Sequence, residues 1–264
     1  MSTLFKGLSV VGSFLILWFG LSQVNWMAVF NIDDDTIDLE EKLGEYLYDN
    51  MKEEYGEVKD SLTTTVLEQL IQHLIEENDL DPGSVKLHVM DDDLVNAFAM
   101  PDGHILLFRG LVDKAENQYA VAGVLAHEMA HVQERHVMKK LIKEVGLSVL
   151  ITMTTGDKGP QVAQQVTQLL TSTAFDREME READEMAVSY LVEANMSPEP
   201  LADFLYELSL EQDDLVHKLS WLSTHPNLEE RAKEMLELGK DQVKISIPVI
   251  EEETWDQLLE QVRD

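Results

Sequence analysis

Five consecutive residues near the middle of the chain, His127-Glu128-Met129-Ala130-His131, combine types and spacing suited to hydrolytic chemistry. On an α-helix, residues four apart are separated by about 400°, so His127 and His131 share one face, one turn apart. Two neutral imidazoles so placed can hold one zinc ion, at about 2.0–2.1 Å per nitrogen. Glu128 lies about 100° round the helix, near such a metal but poorly aimed to ligate it. A carboxylate there can take a proton from a water whose pKa the metal has lowered towards about 7. Chance would yield this pattern in a few chains per hundred, on the order of magnitude for so short a motif. The surroundings argue against chance. Val121, Val124, Leu125 and Ala126 precede the motif, and two histidines and a glutamate buried there without a partner would be costly.

A third ligand must come from elsewhere. The metzincin pattern needs glycine three residues after His131 and histidine six after it, where this chain has Glu134 and Val137. His136 lies about 180° round the helix from His127, so on a straight helix it is a surface or outer contact of the site. The better candidates lie in Arg177-Glu178-Met179-Glu180-Arg181-Glu182-Ala183-Asp184. Glu180 and Asp184 are four apart, so one can ligate zinc while the other hydrogen-bonds a ligand histidine and fixes its tautomer. Spacing alone does not separate Glu180 from Glu182 in so acidic a stretch. His73, His88, His104 and His217 stand isolated and read as structural or surface residues.

Composition narrows the class of protein around this motif. The chain has 264 residues, 44% of them hydrophobic, with 51 Asp+Glu against 20 Lys+Arg and a formal charge of −31. That length can bury a real core and carry an appendage. The charge argues against nucleic acid as a partner, because phosphates would be repelled. Zero cysteines exclude disulfides, thiolate catalysis and cysteine zinc sites.

The elements that must position the site follow from periodicity. Leu62, Val66, Leu70, Leu74 and Ile75 predict an amphipathic helix over 61–77, ended by Asn78-Asp79-Leu80-Asp81-Pro82-Gly83. Alternating Val85, Leu87 and Val89 predict a strand. Asn96–Met100 and Ile105–Phe108 predict a hairpin across Pro101-Asp102-Gly103-His104. One long helix is expected from about Asn117 to Glu144, and a second from about Pro160 to Leu191. Shorter helices follow over 198–210, 213–222 and 228–238, then a strand over Val243–Ile250 and an acidic helix to Asp264. No repeat is visible.

Gly7 to Ile32 contains 26 consecutive uncharged residues, enough to span the roughly 30 Å hydrocarbon core of a bilayer. An uncleaved anchor is the favoured reading. The alternative is a cleaved signal peptide, for which Gly20 and Ser22 offer a poor site. Lys6 before the run, and the acidic residues after it, put the N-terminus in the cytoplasm and the body outside. The apolar patch Val145–Met153 is too short to cross; it packs on the core or dips into the bilayer.

His-Glu-x-x-His on one helix, followed by Glu180-x-x-Ala183-Asp184 on another, resembles the gluzincin metalloproteases of the HtpX and CAAX prenyl endopeptidase family, peptidase family M48. Asn96-Ala97-Phe98 with Gly103, Arg135-His136, and Ser223-Thr224-His225-Pro226 with Arg231 match it as well. The resemblance covers roughly Val85 to Ala232. It implies that Glu180 is the third zinc ligand and Asp184 the orienting carboxylate. It further implies a membrane-associated endopeptidase acting on unfolded, damaged or membrane-linked proteins. With it, and on mechanistic grounds, His225 is expected to act catalytically by steadying the oxyanion, and Arg231 to brace its segment or pair with an acidic neighbour. Asn96, Ala97 and Phe98 are expected to bind substrate along an edge strand, the ordinary reading being a plain sheet strand. Multi-span members carry membrane hairpins where this chain has only Val145–Met153, so it looks more like the single-anchored or periplasmic branch. The C-terminal chain reads as too short for a helical-repeat partner domain.

The expectation is therefore an α+β fold: a helix-rich zincin domain with a small β-sheet, preceded by one N-terminal transmembrane helix. Its parts are an anchor (1–32), an acidic stalk or first helix (33–60), a zinc metallopeptidase domain (61–240) and a C-terminal strand and helix (241–264). One Zn2+ per chain would sit on His127, His131 and Glu180, with Glu128 as general base. The protein would be single-pass with an extracytoplasmic catalytic domain, periplasmic in a Gram-negative cell; the alternative is a soluble periplasmic form. The rival function is a membrane-tethered chaperone or adaptor with a zinc site of low or gated activity. An exopeptidase is the third possibility. Intact Glu128 disfavours a purely structural zinc, which would also usually have four protein ligands.

Overall fold

The computed structural model describes residues 32–115, 117–155, 159–210, 220–240, 242 and 246–263. Its contacts divide the chain into units 1–39 and 40–264, and every feature of the site belongs to the second. The expected anchor lies almost wholly outside the described residues. Among the described residues, no helix is long and apolar enough to cross a membrane.

Helix α1 runs Ile32–Tyr55, and α2 Ser61–Glu77. The α2 N-terminus is capped by Asp60, whose side chain accepts from the Thr63 N–H at 2.7 Å. Its buried stripe is Val66, Leu67, Leu70, Ile71, Leu74 and Ile75, the face that the sequence period marked. Strands β1 (Lys86–Met90), β2 (Ala97–Ala99) and β3 (His104–Phe108) form a sheet ordered β1-β3-β2. β1 is parallel to β3, with Lys86 opposite His104, and β2 is antiparallel to it, with Phe98 opposite Leu106. The β2–β3 turn depends on Gly103, at φ 76°; a Cβ there would stand 2.2 Å from the Ser84 carbonyl oxygen.

Helix α3 (Arg109–Ala115) leads to α4 (Gln118–Gln133), capped by Asn117 accepting from the Ala120 N–H at 2.9 Å. α4 is buried from Ala120 through His131, which makes it the axle of the domain. At Gly123 a Cβ would stand 2.5 Å from the Leu201 Cβ, so glycine lets the helix over Glu199–Leu210 approach closely.

Both long helices expected from the sequence are broken. Arg135 takes a left-handed φ of 53°, ending the first, and α5 (His136–Val145) restarts in a new direction. The Arg135 guanidinium is held there by Glu40. The second divides into α7 (Gly159–Ser172) and α8 (Arg177–Glu193) after the short α6 (Leu147–Thr155). At the break, the Thr173 hydroxyl donates to the Leu169 carbonyl at 2.7 Å, and the Phe175 N–H donates to Thr224. Side-chain competition for the backbone and the burial of Phe175 replace helical continuation. The apolar patch 145–153 therefore falls in α5 and α6, where Leu150 is buried and Ile151 exposed.

The remaining helices are α9 (Glu199–Leu210), α10 (Ser220–Thr224), α11 (Leu228–Leu238) and α12 (Glu252–Arg263). Residues 246–250, within the expected C-terminal strand, are not a strand, and 243–245 lie outside the described residues. The backbone N–H groups of Val249 and Ile250 both donate to the Gln118 side-chain oxygen at 3.0 Å, so a buried amide takes the place of a ladder. Helix-rich layers around a small sheet make the fold α+β.

Candidate metal centre

The two pieces of sequence meet at the α4–α8 contact. His127 and His131 leave the same face of α4, and their Nε2 atoms lie 3.0 Å apart. Glu180 comes from the first turn of α8, with Oε1 3.5 Å from His131 Nε2 and Oε2 3.9 Å from His127 Nε2. Its neighbour one turn on, Asp184, places Oδ1 3.0 Å from His127 Nδ1, so the ring nitrogen facing the cluster is the other one. His127, His131, Glu180 and His225 form a group able to hold a metal ion. His225 thus stands inside the ligand cluster, with Nδ1 3.0 Å from Glu180 Oε1 and 3.3 Å from His127 Nε2.

Arg231, from α11, explains how two carboxylates share this interior. Its Nε and Nη2 donate to Asp184 at 2.7 and 2.6 Å, and Nη1 contacts Glu180. Burial alone would raise both carboxyls, but His225 and Arg231 hold Glu180 well below the usual range, and Arg231 lowers Asp184. Burial pushes His131 down to about 3 and His225 to about 4, and lowers His127, so these rings are neutral and offer lone pairs.

Glu128 points towards the sheet side of the cluster. Its Oε2 accepts from the Ala99 N–H at 2.8 Å and Oε1 from the Trp221 indole N–H at 3.2 Å; His225 Nε2 is 3.5 Å away. Burial drives its pKa up to about 8, although these hydrogen bonds pull the other way. Sequence reasoning missed Trp221, which lies one helical turn before His225, just ahead of the Ser223–Pro226 match. It also missed Phe175, stacked 4.2 Å from His131. Neither residue type signals chemistry by itself.

The donor set fits a dication. Glu180 and Asp184 against one Arg231 leave a buried excess of one negative charge, and of two once Glu128 gives up its proton, which a dication would neutralise. His225 Nε2 is buried without a hydrogen-bond partner, and the His127 and His131 lone pairs converge. Imidazole and carboxylate donors suit zinc. The four ligand-set side chains are at most 3% exposed. A cavity of about 190 Å³ reaches Glu180 and Arg231 past Pro226 and Asn227, with no histidine in its wall.

The other expected residues are placed as follows. Ala97 and Phe98 lie in β2 at the sheet edge with Asn96 just before it, all buried, and the Asn96 side-chain oxygen lacks a partner. His136 is fully buried, 3.0 Å from His131 and 3.1 Å from Glu182. His88 and His104, expected to be isolated, are instead stacked and 3.0 Å apart, because parallel β1 and β3 bring them side by side under Tyr48. His217 lies outside the described residues.

Comparison with known proteins agrees with this geometry. The profile described as Peptidase family M48 matches residues 61–238. The chain is 26% identical over 232 residues to mitochondrial metalloendopeptidase OMA1 of Schizosaccharomyces pombe, covering 86% of this chain and 69% of that protein. It is 27% identical over 226 residues to the metalloendopeptidase OMA1, mitochondrial, of Bos taurus, covering 77% and 43%. Against the beta-barrel assembly-enhancing protease of Escherichia coli strain K12 it is 25% identical over 211 residues, covering 74% and 43%. The chain thus spans less than half the length of the last two.

Proposed function

From the premise that the chain belongs to peptidase family M48, a family of zinc metalloendopeptidases, we propose that it hydrolyses internal peptide bonds of unfolded or membrane-associated proteins. The single observation that carries this reading is the convergence of His127, His131 and Glu180 beside a buried, hydrogen-bonded Glu128. Zinc held by those three residues would supply Lewis acidity to the attacking water and the scissile carbonyl.

Glu128 is the proton carrier. Ala99 N–H and Trp221 Nε1–H fix both its oxygens, so the carboxylate meets the reacting water without first ordering itself. Its raised proton affinity suits it to take a proton from water and pass it to the leaving amine. Asp184 orients His127, and Arg231 prevents Asp184 and Glu180 from repelling each other. On this reading the main chain of β2 would align an extended substrate beside Glu128, and the unpartnered Asn96 oxygen would offer an acceptor.

A second reading concerns His225. As an oxyanion donor it should stand beside the ligand set, yet its distances put it within that set. Four protein donors and a buried centre describe a closed site, so we read this arrangement as gated, with His225 withdrawing before substrate binds. The run Gly7–Ile32 would tether the domain to a membrane with the site outside the cytoplasm. The zinc-loaded full chain should cut casein into internal fragments, stop on chelation and resume on zinc addition. Release of single residues would instead mean an exopeptidase.

A further inference from the structure

We infer that His136 and Glu182 are positioning residues for the metal centre: a relay that fixes which nitrogen of His131 is bare. The inference rests on the zinc reading above. His131 turns Nε2 into the ligand cluster and Nδ1 towards His136 Nδ1, at 3.0 Å. The far nitrogen of His136, Nε2, lies 3.1 Å from Glu182 Oε2.

A neutral imidazole has one N–H and one lone pair. If His131 Nε2 is to ligate, its hydrogen is on Nδ1 and is donated to His136 Nδ1. That nitrogen must then be bare, so the His136 hydrogen sits on Nε2 and is donated to Glu182. The opposite polarity puts a hydrogen on His131 Nε2, where it blocks ligation. It also sets a bare His136 nitrogen against a carboxylate oxygen, two acceptors facing each other. The carboxylate at the end of the chain therefore selects the ligating tautomer two rings away. Both ligand histidines are then backed by a carboxylate, His127 directly by Asp184 and His131 through His136.

The left-handed turn at Arg135 makes this possible. On an unbroken helix His136 would lie about 140° round from His131. Restarting the helix at His136 brings its ring, fully buried, beneath that of His131.

Glu134, His136 and Glu182 could also hold a cation of their own. Such an ion would take the His136 Nε2 lone pair and force a hydrogen onto Nδ1, head-on to the Nδ1–H of a ligating His131. The two sites exclude each other, and the ligand role of His131 favours the relay.

Glu182 is about half exposed, so replacing it leaves the core intact. Zinc affinity of the full chain would be measured by chelator competition for wild type, Glu182→Ala and Glu182→Gln. The hydrogen on each His136 nitrogen would be located by nitrogen-detected NMR of the zinc-loaded chain. The relay predicts a loss of about tenfold in Glu182→Ala, the low end for outer partners of a metal ligand. It predicts recovery of most of that affinity in Glu182→Gln, which keeps an acceptor, and a His136 hydrogen on Nε2. Unchanged affinity in Glu182→Ala, a hydrogen on Nδ1, or a second zinc bound alongside the first and lost in Glu182→Ala would overturn it. A wild-type chain that binds no zinc would instead sink the metallopeptidase reading.

Discussion

At the scale of single residues, the account turns on what each buried polar group faces. Asp184 has one histidine and one arginine to serve, so Asp184→Asn should weaken zinc binding by about 10–100-fold through loss of ring orientation; chelator competition would read this. His225 gives a prediction with a sign. If it closes the site, His225→Ala frees a coordination position and raises casein cleavage. A fall in cleavage would restore the oxyanion role expected from the sequence. His127, Glu128 and His131 were legible because helical spacing itself brings them together. Glu180 was not separable from Glu182 on spacing, and the resemblance pointed to it; in the fold the two carboxylates part. Glu180 faces His127 and His131, and Glu182 reaches His136 from the rim. Trp221 was illegible, because only tertiary packing brings an indole N–H to Glu128.

At the scale of elements, periodicity located the helices and strands better than it located their ends. The α2 stripe and the β2–β3 hairpin were visible in spacing and turn chemistry. The breaks after Gln133 and Ser172 were not. Arg135 and the Thr171-Ser172-Thr173 run are compatible with helix, and it is the Glu40 contact and the burial of Phe175 that decide. The pairing of His88 with His104 was likewise hidden, since parallel register is not written in either strand alone. Close packing of α4 on α9 makes Gly123 a test of the scaffold. Gly123→Val should destabilise by about 1–3 kcal/mol through overpacking against Leu201, seen as a lower melting temperature in calorimetry. An unchanged melting temperature would mean that the helices are not held so close.

At the scale of the whole molecule, proton linkage gives the metal-free domain a stability optimum. His131 and His225 have folded pKa values near 3 and 4, below those of the unfolded chain, so the unfolded state binds more protons between there and about 6.5. Their contribution is lost as pH falls through that window. Glu128, raised to about 8, acts in the opposite sense: the folded state holds its proton, and that contribution fades as pH rises towards 8. Between pH 3 and 8, thermal unfolding after chelation, in high salt to screen the charge of −31, should peak near pH 6.5. Zinc should raise the melting temperature at every pH above that of the ligand histidines. A flat pH profile would contradict the burial assigned to these groups.

The most direct test sets the wild-type chain beside Glu128→Gln, both zinc-loaded and with zinc content measured, on an unfolded protein such as casein. Equal zinc content, with internal cleavage by wild type and a loss of at least about 10²-fold in the variant, is the predicted result. Equal cleavage by both would contradict the assignment of Glu128 as the proton carrier.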